Sequence, residues 1–276
     1  MNSVPAVEDI PTAFARDGYY LARGVYAGPR LAALEADFDQ IVRQLVRNGD
    51  DLNARWTGEM VDAVGGGDTS LIHTHNVQRY SAEWLHAFLD DRFLSVARAI
   101  LGPDVVLHHS KLFQKPPRAG APFPIHQDWW YFPTAKDRMI AATIFLTEAD
   151  DSSGGFRVYP GSHRLGRLGE SSGLQRSESL RAYPLAAATP IDARPGDVLF
   201  FSYLTLHGSS ANRSERIRKT VLVQMYDGSD EVLANADVNH VNERLVLSGR
   251  NHRMNRDLAA EKPRRGDPSP RASGSG

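Results

Sequence analysis

His126, Gln127 and Asp128 stand in a row, and His207 and Arg218 follow in the second half of the chain. On extended backbone, residues two apart point the same way. His126 and Asp128 can therefore present an imidazole nitrogen and a carboxylate oxygen to one point. A second imidazole from a neighbouring strand, His207, completes two histidines and a carboxylate on one face. That is the ligand set of non-haem Fe(II) sites, which leaves about three coordination positions open. With 10 histidines in the chain, a His-x-Asp pair alone arises by chance in about half of such sequences. The later residues lift it above that level. Pro195-Gly196-Asp197 turns into apolar Val198-Leu199-Phe200-Phe201, and the chain runs on to His207. Residues 208–215 are small or polar, with Asn212-Arg213-Ser214 as a turn signal. A hairpin centred there predicts His207 opposite Arg218, a metal ligand and a permanent cation at one mouth. The pairing suits 2-oxoglutarate, whose keto and carboxylate oxygens chelate an iron while a bidentate guanidinium grips the far carboxylate. Ser209, two past His207, is placed to donate a hydroxyl to that carboxylate.

The elements that position these residues follow from periodicity. Gly28-Pro29 opens a helix carrying Leu31, Leu34, Phe38, Ile41, Val42 and Leu45, closed by Asn48-Gly49. Residues 50–80, with Gly65-Gly66-Gly67-Asp68, read as a long loop. Ser81 caps a second helix with Trp84, Leu85, Phe88, Phe93, Val96 and Ile100, stopped by Leu101-Gly102-Pro103. From Val105 the texture changes to short β-rich runs at 105–113, 124–130, 139–146, 156–159, 198–203 and 219–226. Such runs between Gly, Pro and Asp turns predict a double-sheet jelly roll. The fold expected is mainly β with helical additions, a jelly-roll core packed against N-terminal helices. One domain is expected over 1–260, with a disordered Pro-, Arg-, Gly- and Ser-rich tail at 261–276. Segment 163–187 reads as an insertion and, with 50–80, as a candidate lid; one helix is expected after Val232.

Composition narrows the function. A chain of 276 residues with 41% hydrophobic and 24% charged residues is ordinary for a globular protein. A net charge of -1 offers no electrostatic case for nucleic acid or an anionic membrane. With no cysteine, disulfides, thiolate metal sites and cysteine nucleophiles are excluded. The N-terminus lacks a secretory pattern and no apolar run spans a bilayer, so a cytoplasmic location is expected. His73-x-His75 and His108-His109 also have ligand spacing, and read as surface or loop histidines because nothing around them completes a site.

Further motifs join these: Phe14-x-x-x-Gly18-Tyr19, Lys115-Pro116-Pro117, Tyr131-Phe132-Pro133, Pro160-Gly161-Ser162-His163, Gly196-Asp197, and Asn212 and Ser214 between His207-Gly208-Ser209 and Arg218. Together they resemble the phytanoyl-CoA dioxygenase family, Fe(II)- and 2-oxoglutarate-dependent oxygenases with a double-stranded β-helix. The resemblance runs from about Phe14 to Tyr226.

It implies that His126, Asp128 and His207 hold iron, that Arg218 and Ser209 hold 2-oxoglutarate, and that Lys111, Thr143 and Asn76 line the cosubstrate pocket. His163 belongs to a turn and is no ligand. Related halogenases lack the carboxylate, so Asp128 argues against halogenation, and Ser153-Gly154 stands where the family often has Asn-Gly. The implied reaction consumes 2-oxoglutarate and O2, releases succinate and CO2, and hydroxylates an unactivated carbon of a small molecule, with specialised metabolism preferred over acyl-CoA. Desaturation, cyclisation and epimerisation need the same cofactors and stay open, as does a non-catalytic metal-binding β-sandwich module. Trp130, by strand parity with His126, and Trp129 and Arg157 are candidate substrate contacts. Substrate identity and oligomeric state are not legible.

Overall fold

The computed structural model describes residues 9–53, 57, 59–168, 178–233 and 241–256. The expected tail at 261–276 lies outside them, as does 169–177 of the predicted insertion. A short helix α1 (Asp9–Asp17) leads into strand β1 (Tyr19–Ala22) and the long helix α2 (Gly28–Asn48). Pro29 stands in the first turn of α2, and Gly49, left-handed at φ 77, closes it. Leu34, Phe38, Ile41 and Leu45 form its buried stripe. Burying each such side chain fully contributes about 1.5–3 kcal/mol.

Residues 50–80 are more ordered than a loop. They contain α3 (Glu59–Asp62) and β2 (Ile72–His75), which pairs antiparallel with β3 (Val105–Lys115). The helix expected from Ser81 is two helices, α4 (Ala82–Phe88) and α5 (Asp91–Leu101). Ser81 caps the first, and Asp90, accepting from the Arg92 N–H, starts the second.

The remaining strands are β4 (Phe123–His126), β5 (Met139–Phe145), β6 (Phe156–Val158), β7 (Thr189–Ile191), β8 (Val198–Ser202), β9 (His207–Ser209), β10 (Arg218–Asp227) and β11 (Leu245–Ser248), with the small helix α6 (Glu178–Arg181) before β7. They form two antiparallel sheets. The larger runs β1-β8-β5-β10-β3-β11 with β2 also on β3, and the smaller runs β4-β9-β6-β7. After Val232 the described residues form β11; residues 234–240 and 257–276, on which the helix expected there can fall, lie outside them. No described helix is long and apolar enough to cross a membrane.

The larger sheet has two faces. Ile140, Ala142, Ile144, Val198, Phe200, Val221, Val223 and Met225 pack with Phe38, Trp84, Phe88 and Phe93 of the helices. The alternate residues Ala141, Phe145, Leu199 and Phe201 pack toward the smaller sheet. β3 breaks this alternation with a bulge: Gln224 pairs with His109 but Met225 with Leu107, leaving His108 extra. Val105 and Leu107 before it pack in the helix-facing cluster, and so does Leu112 after it. The parity flip turns Lys111 and Phe113 into the space between the sheets.

Candidate active site

β4 ends at His126, and Asp128 opens a 3-10 turn, Asp128–Trp130, so the strand predicted to reach residue 130 stops early. Gln127 between them stays extended, at φ -119 and ψ 147, which keeps the His126 and Asp128 side chains on one side. Its own amide points away, donating to the Leu204 and Gly166 carbonyls at 2.5 and 3.0 Å. β9 brings His207 opposite His126 in the smaller sheet. Both imidazole Nε2 atoms then lie 3.7 Å from Asp128 Oδ1, and one ligand atom from each residue falls within 4.8 Å of the others.

Hydrogen bonds set the tautomers. His126 Nδ1 donates to the Pro124 carbonyl at 2.8 Å, and His207 Nδ1 to that of Thr205 at 2.9 Å. Each bond leaves the Nε2 lone pair facing Asp128, the outer support that histidine ligands require. Phe156 stacks on His207 at 5.4 Å, and Phe201 packs against it at 4.6 Å. Burial lowers the pKa of His126 to about 3 and of His207 to about 4, so both rings are neutral at physiological pH. Burial raises that of Asp128, against the opposing pull of His126 and Lys111. Two oriented neutral imidazoles and a buried carboxylate fit a divalent iron.

Arg218 and His207 do not face each other across a hairpin. His207 lies in the smaller sheet and Arg218 in the larger, and the chain between them crosses from one to the other. Both nevertheless line the same cavity, as do Ser209, Thr143 and Lys111. Arg218 is 3% exposed and pairs across β10 and β3 with Lys115, which is 0% exposed. Arg218 donates from Nη1 to the Gly154 carbonyl at 2.6 Å, while its Nε and Thr143 Oγ1 have no partner among the described residues. Lys115 donates to Ser209 Oγ at 2.7 Å and the Ser210 carbonyl at 2.6 Å. Ser209 thus accepts from Lys115 and keeps its own O–H to donate. Neither cation forms an ion pair among the described residues. Burial pulls Arg218 down to about 10, and burial with the Arg218 charge pushes Lys115 well below its ordinary value. Two buried cations without an ion-pair partner among the described residues, Arg218 with its Nε donor unused, fit a carboxylate guest.

The cavity has a volume of about 270 Å³. Its remaining wall includes His73, His75, Phe113, Phe123, Tyr131 and Leu222. His73 and His75, read from sequence as loop residues, sit on β2 beside Phe113 and Lys111. Their pKa values fall to about 3 and 4, from burial first and then the neighbouring charges. Lys111 is lowered to about 8 by burial, its residual exposure being to the cavity. The signal for His73 and His75 was their i, i+2 spacing; no pattern marked their strand as the neighbour of β3.

Four expected residues lie elsewhere. Asn76, left-handed at φ 56, ends β2 and accepts from the Ser110 N–H. The 3-10 turn removes Trp130 from the parity of His126, and it packs with Ile125 and Leu206. The Trp129 indole N–H donates to Gln127 Oε1 and the Leu168 carbonyl. Arg157 pairs with Asp151 at 2.6 Å and donates to the Ala188 carbonyl.

Residues 14–220 match the family model described as phytanoyl-CoA dioxygenase (PhyH). The chain belongs to that family. This PhyH protein is an Fe/2-oxoglutarate-dependent dioxygenase, which sets aside the non-catalytic module. It is 32% identical over 149 residues to a probable alpha-ketoglutarate-dependent hypophosphite dioxygenase of Stutzerimonas stutzeri, covering 51% of each chain. The match thus spans about half the length of that relative. It is 24% identical over 240 residues to an ectoine dioxygenase of Bordetella parapertussis, covering 80% of this chain and 75% of the other. The fold superposes on the epimerase SnoN in complex with Fe3+, alpha ketoglutarate and nogalamycin RO, with a TM-score of 0.68 at 19% identity over 89% of this chain and 97% of the other.

Proposed function

We propose that this PhyH protein hydroxylates an unactivated carbon of a small organic molecule in specialised metabolism, converting 2-oxoglutarate and O2 to succinate and CO2. One observation carries the reading: the His126, Asp128 and His207 ligand atoms and the Arg218 guanidinium, backed by Lys115 on the paired strand, meet at a single cavity. The iron, when bound, supplies the redox chemistry that splits O2 and oxidises the substrate. The chain supplies position and dryness. The Nδ1–H bonds of His126 and His207 fix which nitrogen of each ring is offered. Arg218 and Ser209 hold the far carboxylate of 2-oxoglutarate, and Lys115 compensates the second charge of that dianion. Thr143 Oγ1 and Lys111 face the same cavity and complete the cosubstrate wall. Phe113, Phe123, Phe156 and Leu222 keep bulk water from the reacting centre. Asp128 fills the position that a halide would need.

Small substrates suit the space. At about 270 Å³ the cavity is below the usual range of roughly 300–1,000 Å³ for ligand pockets, and 2-oxoglutarate takes part of it. That space favours a small guest over a buried acyl-CoA. His73 and His75 give the substrate side neutral imidazoles that can donate or accept, favouring a guest with oxygen or nitrogen functions. The test is a screen of small polar metabolites for stimulated succinate release, followed by mass analysis of the product under labelled O2. Gain of one labelled oxygen supports hydroxylation. Loss of two hydrogens or an unchanged mass refutes it in favour of desaturation or epimerisation.

A further inference from the structure

On β10 the residues Arg218, Thr220 and Leu222 line the cavity in turn, and the two-residue period puts Gln224 next on that face. Gln224 is 0% exposed. Neither Oε1 nor Nε2 completes a hydrogen bond of ordinary geometry, and neither does the buried Oδ2 of Asp128. Asp128 lines the cavity that this face of β10 borders, and the Gln224 amide favours its ionised carboxylate. An amide buried without a partner destabilises a fold, whereas leucine, as at position 222, would carry no such cost. The neighbours leave the amide in place: Ala141 is its small partner across β5, and His109 its partner across β3 at the bulge.

We propose that Gln224 is a positioning residue for the metal site, its amide N–H donating to Asp128 Oδ2 so that Oδ1 alone is offered beside the two imidazole nitrogens. The inference rests on the metal reading of His126, Asp128 and His207. In that triad both histidines are braced by backbone carbonyls. Asp128 has no comparable brace on its outer oxygen, and Gln224 supplies it.

The experiment is Co(II) titration of the metal-free full-length protein under anaerobic conditions, by calorimetry and by the Co(II) absorption spectrum, with apo thermal melting alongside. Wild type should bind one Co(II) per chain, which tests the metal reading independently of Gln224. Gln224→Leu should weaken that binding roughly 10–100-fold and change the spectrum, while the apo melting temperature stays the same or rises because an unpaired amide has gone. Gln224→Met, unbranched and similar in length, should behave likewise and serves if the leucine variant fails to fold. Wild-type-like Co(II) affinity in either folded variant, or a lowered apo melting temperature with unchanged affinity, would overturn the proposal.

Discussion

Replacing Arg218 by methionine removes the guanidinium and keeps much of the chain's volume. The side chain is buried, its Nε has no partner, and its Nη1 holds only the Gly154 carbonyl. Gripping a carboxylate, such a fork makes two charge-assisted hydrogen bonds, each contributing about 1.5–3 kcal/mol. Lys115 remains across the strand pair and keeps part of the attraction, so the net loss should be about 3 kcal/mol. That corresponds to roughly a 150-fold rise in the dissociation constant for 2-oxoglutarate. The assay is equilibrium binding of 2-oxoglutarate to the anaerobic Fe(II)-loaded protein, with Co(II) affinity of the apo protein as the control. Arg218→Lys keeps the charge but loses the planar fork, and should fall between the two. A change of less than about fivefold in Arg218→Met would mean that the carboxylate does not sit at this end. An equal loss of metal affinity would mean that the substitution had disturbed the whole cavity.

Other substitutions separate the cradle from its scaffold. Gly154 has φ +78, and an added Cβ would lie 2.6 Å from the Ser210 carbonyl oxygen and 3.1 Å from Lys115 Cδ. Gly154→Ala should cost about 1–2 kcal/mol for the left-handed backbone and weaken 2-oxoglutarate binding roughly tenfold; unaltered binding would detach this turn from the cradle. Asp197 is buried and accepts from the Gly24 N–H at 2.8 Å, the Arg194 N–H at 2.9 Å and Arg23 Nη1 at 2.8 Å. Asp197→Ala should lower stability by about 2–4 kcal/mol in urea unfolding while the remaining folded protein binds 2-oxoglutarate normally. His108 is buried, and desolvation lowers its pKa from 6.5 to about 3. Below 6.5 the unfolded chain binds a proton that the folded chain refuses, so stability is lost as the pH falls. At pH 5 the loss from this residue is about 2 kcal/mol relative to pH 8. Urea unfolding of His108→Phe should show a correspondingly smaller drop between those pH values, and an identical drop in both proteins would sink the argument.

The metal face was legible because it depends on short-range geometry. One extended residue, Gln127, suffices to align His126 with Asp128, and a strand bearing His207 had only to be nearby. Arg218 was found by its residue type and spacing, but the hairpin drawn to explain it was wrong. Sequence distance cannot say whether a turn folds a strand back on itself or hands it to a second sheet. The bulge at His108 was equally invisible, and it decides which β3 residues face the cavity. Alternation read without it would carry the parity of Val105 and Leu107 through to Lys111 and Phe113. Trp130 and Arg157 stand outside the cavity wall for local reasons, a 3-10 turn and an ion pair with Asp151. His73 and His75 were passed over because their strand is only four residues long and is defined by pairing with β3, a contact that its own sequence does not announce.

The dependence of succinate formation on Fe(II) is the most direct test of the metal site. Metal-stripped protein given 2-oxoglutarate and O2 should form no succinate. Activity should return on adding Fe(II), saturate at one equivalent per chain, and be absent in His207→Ala and Asp128→Ala proteins that melt like wild type. Undiminished succinate formation without Fe(II), or by either variant, would contradict the assignment of those three side chains to one metal.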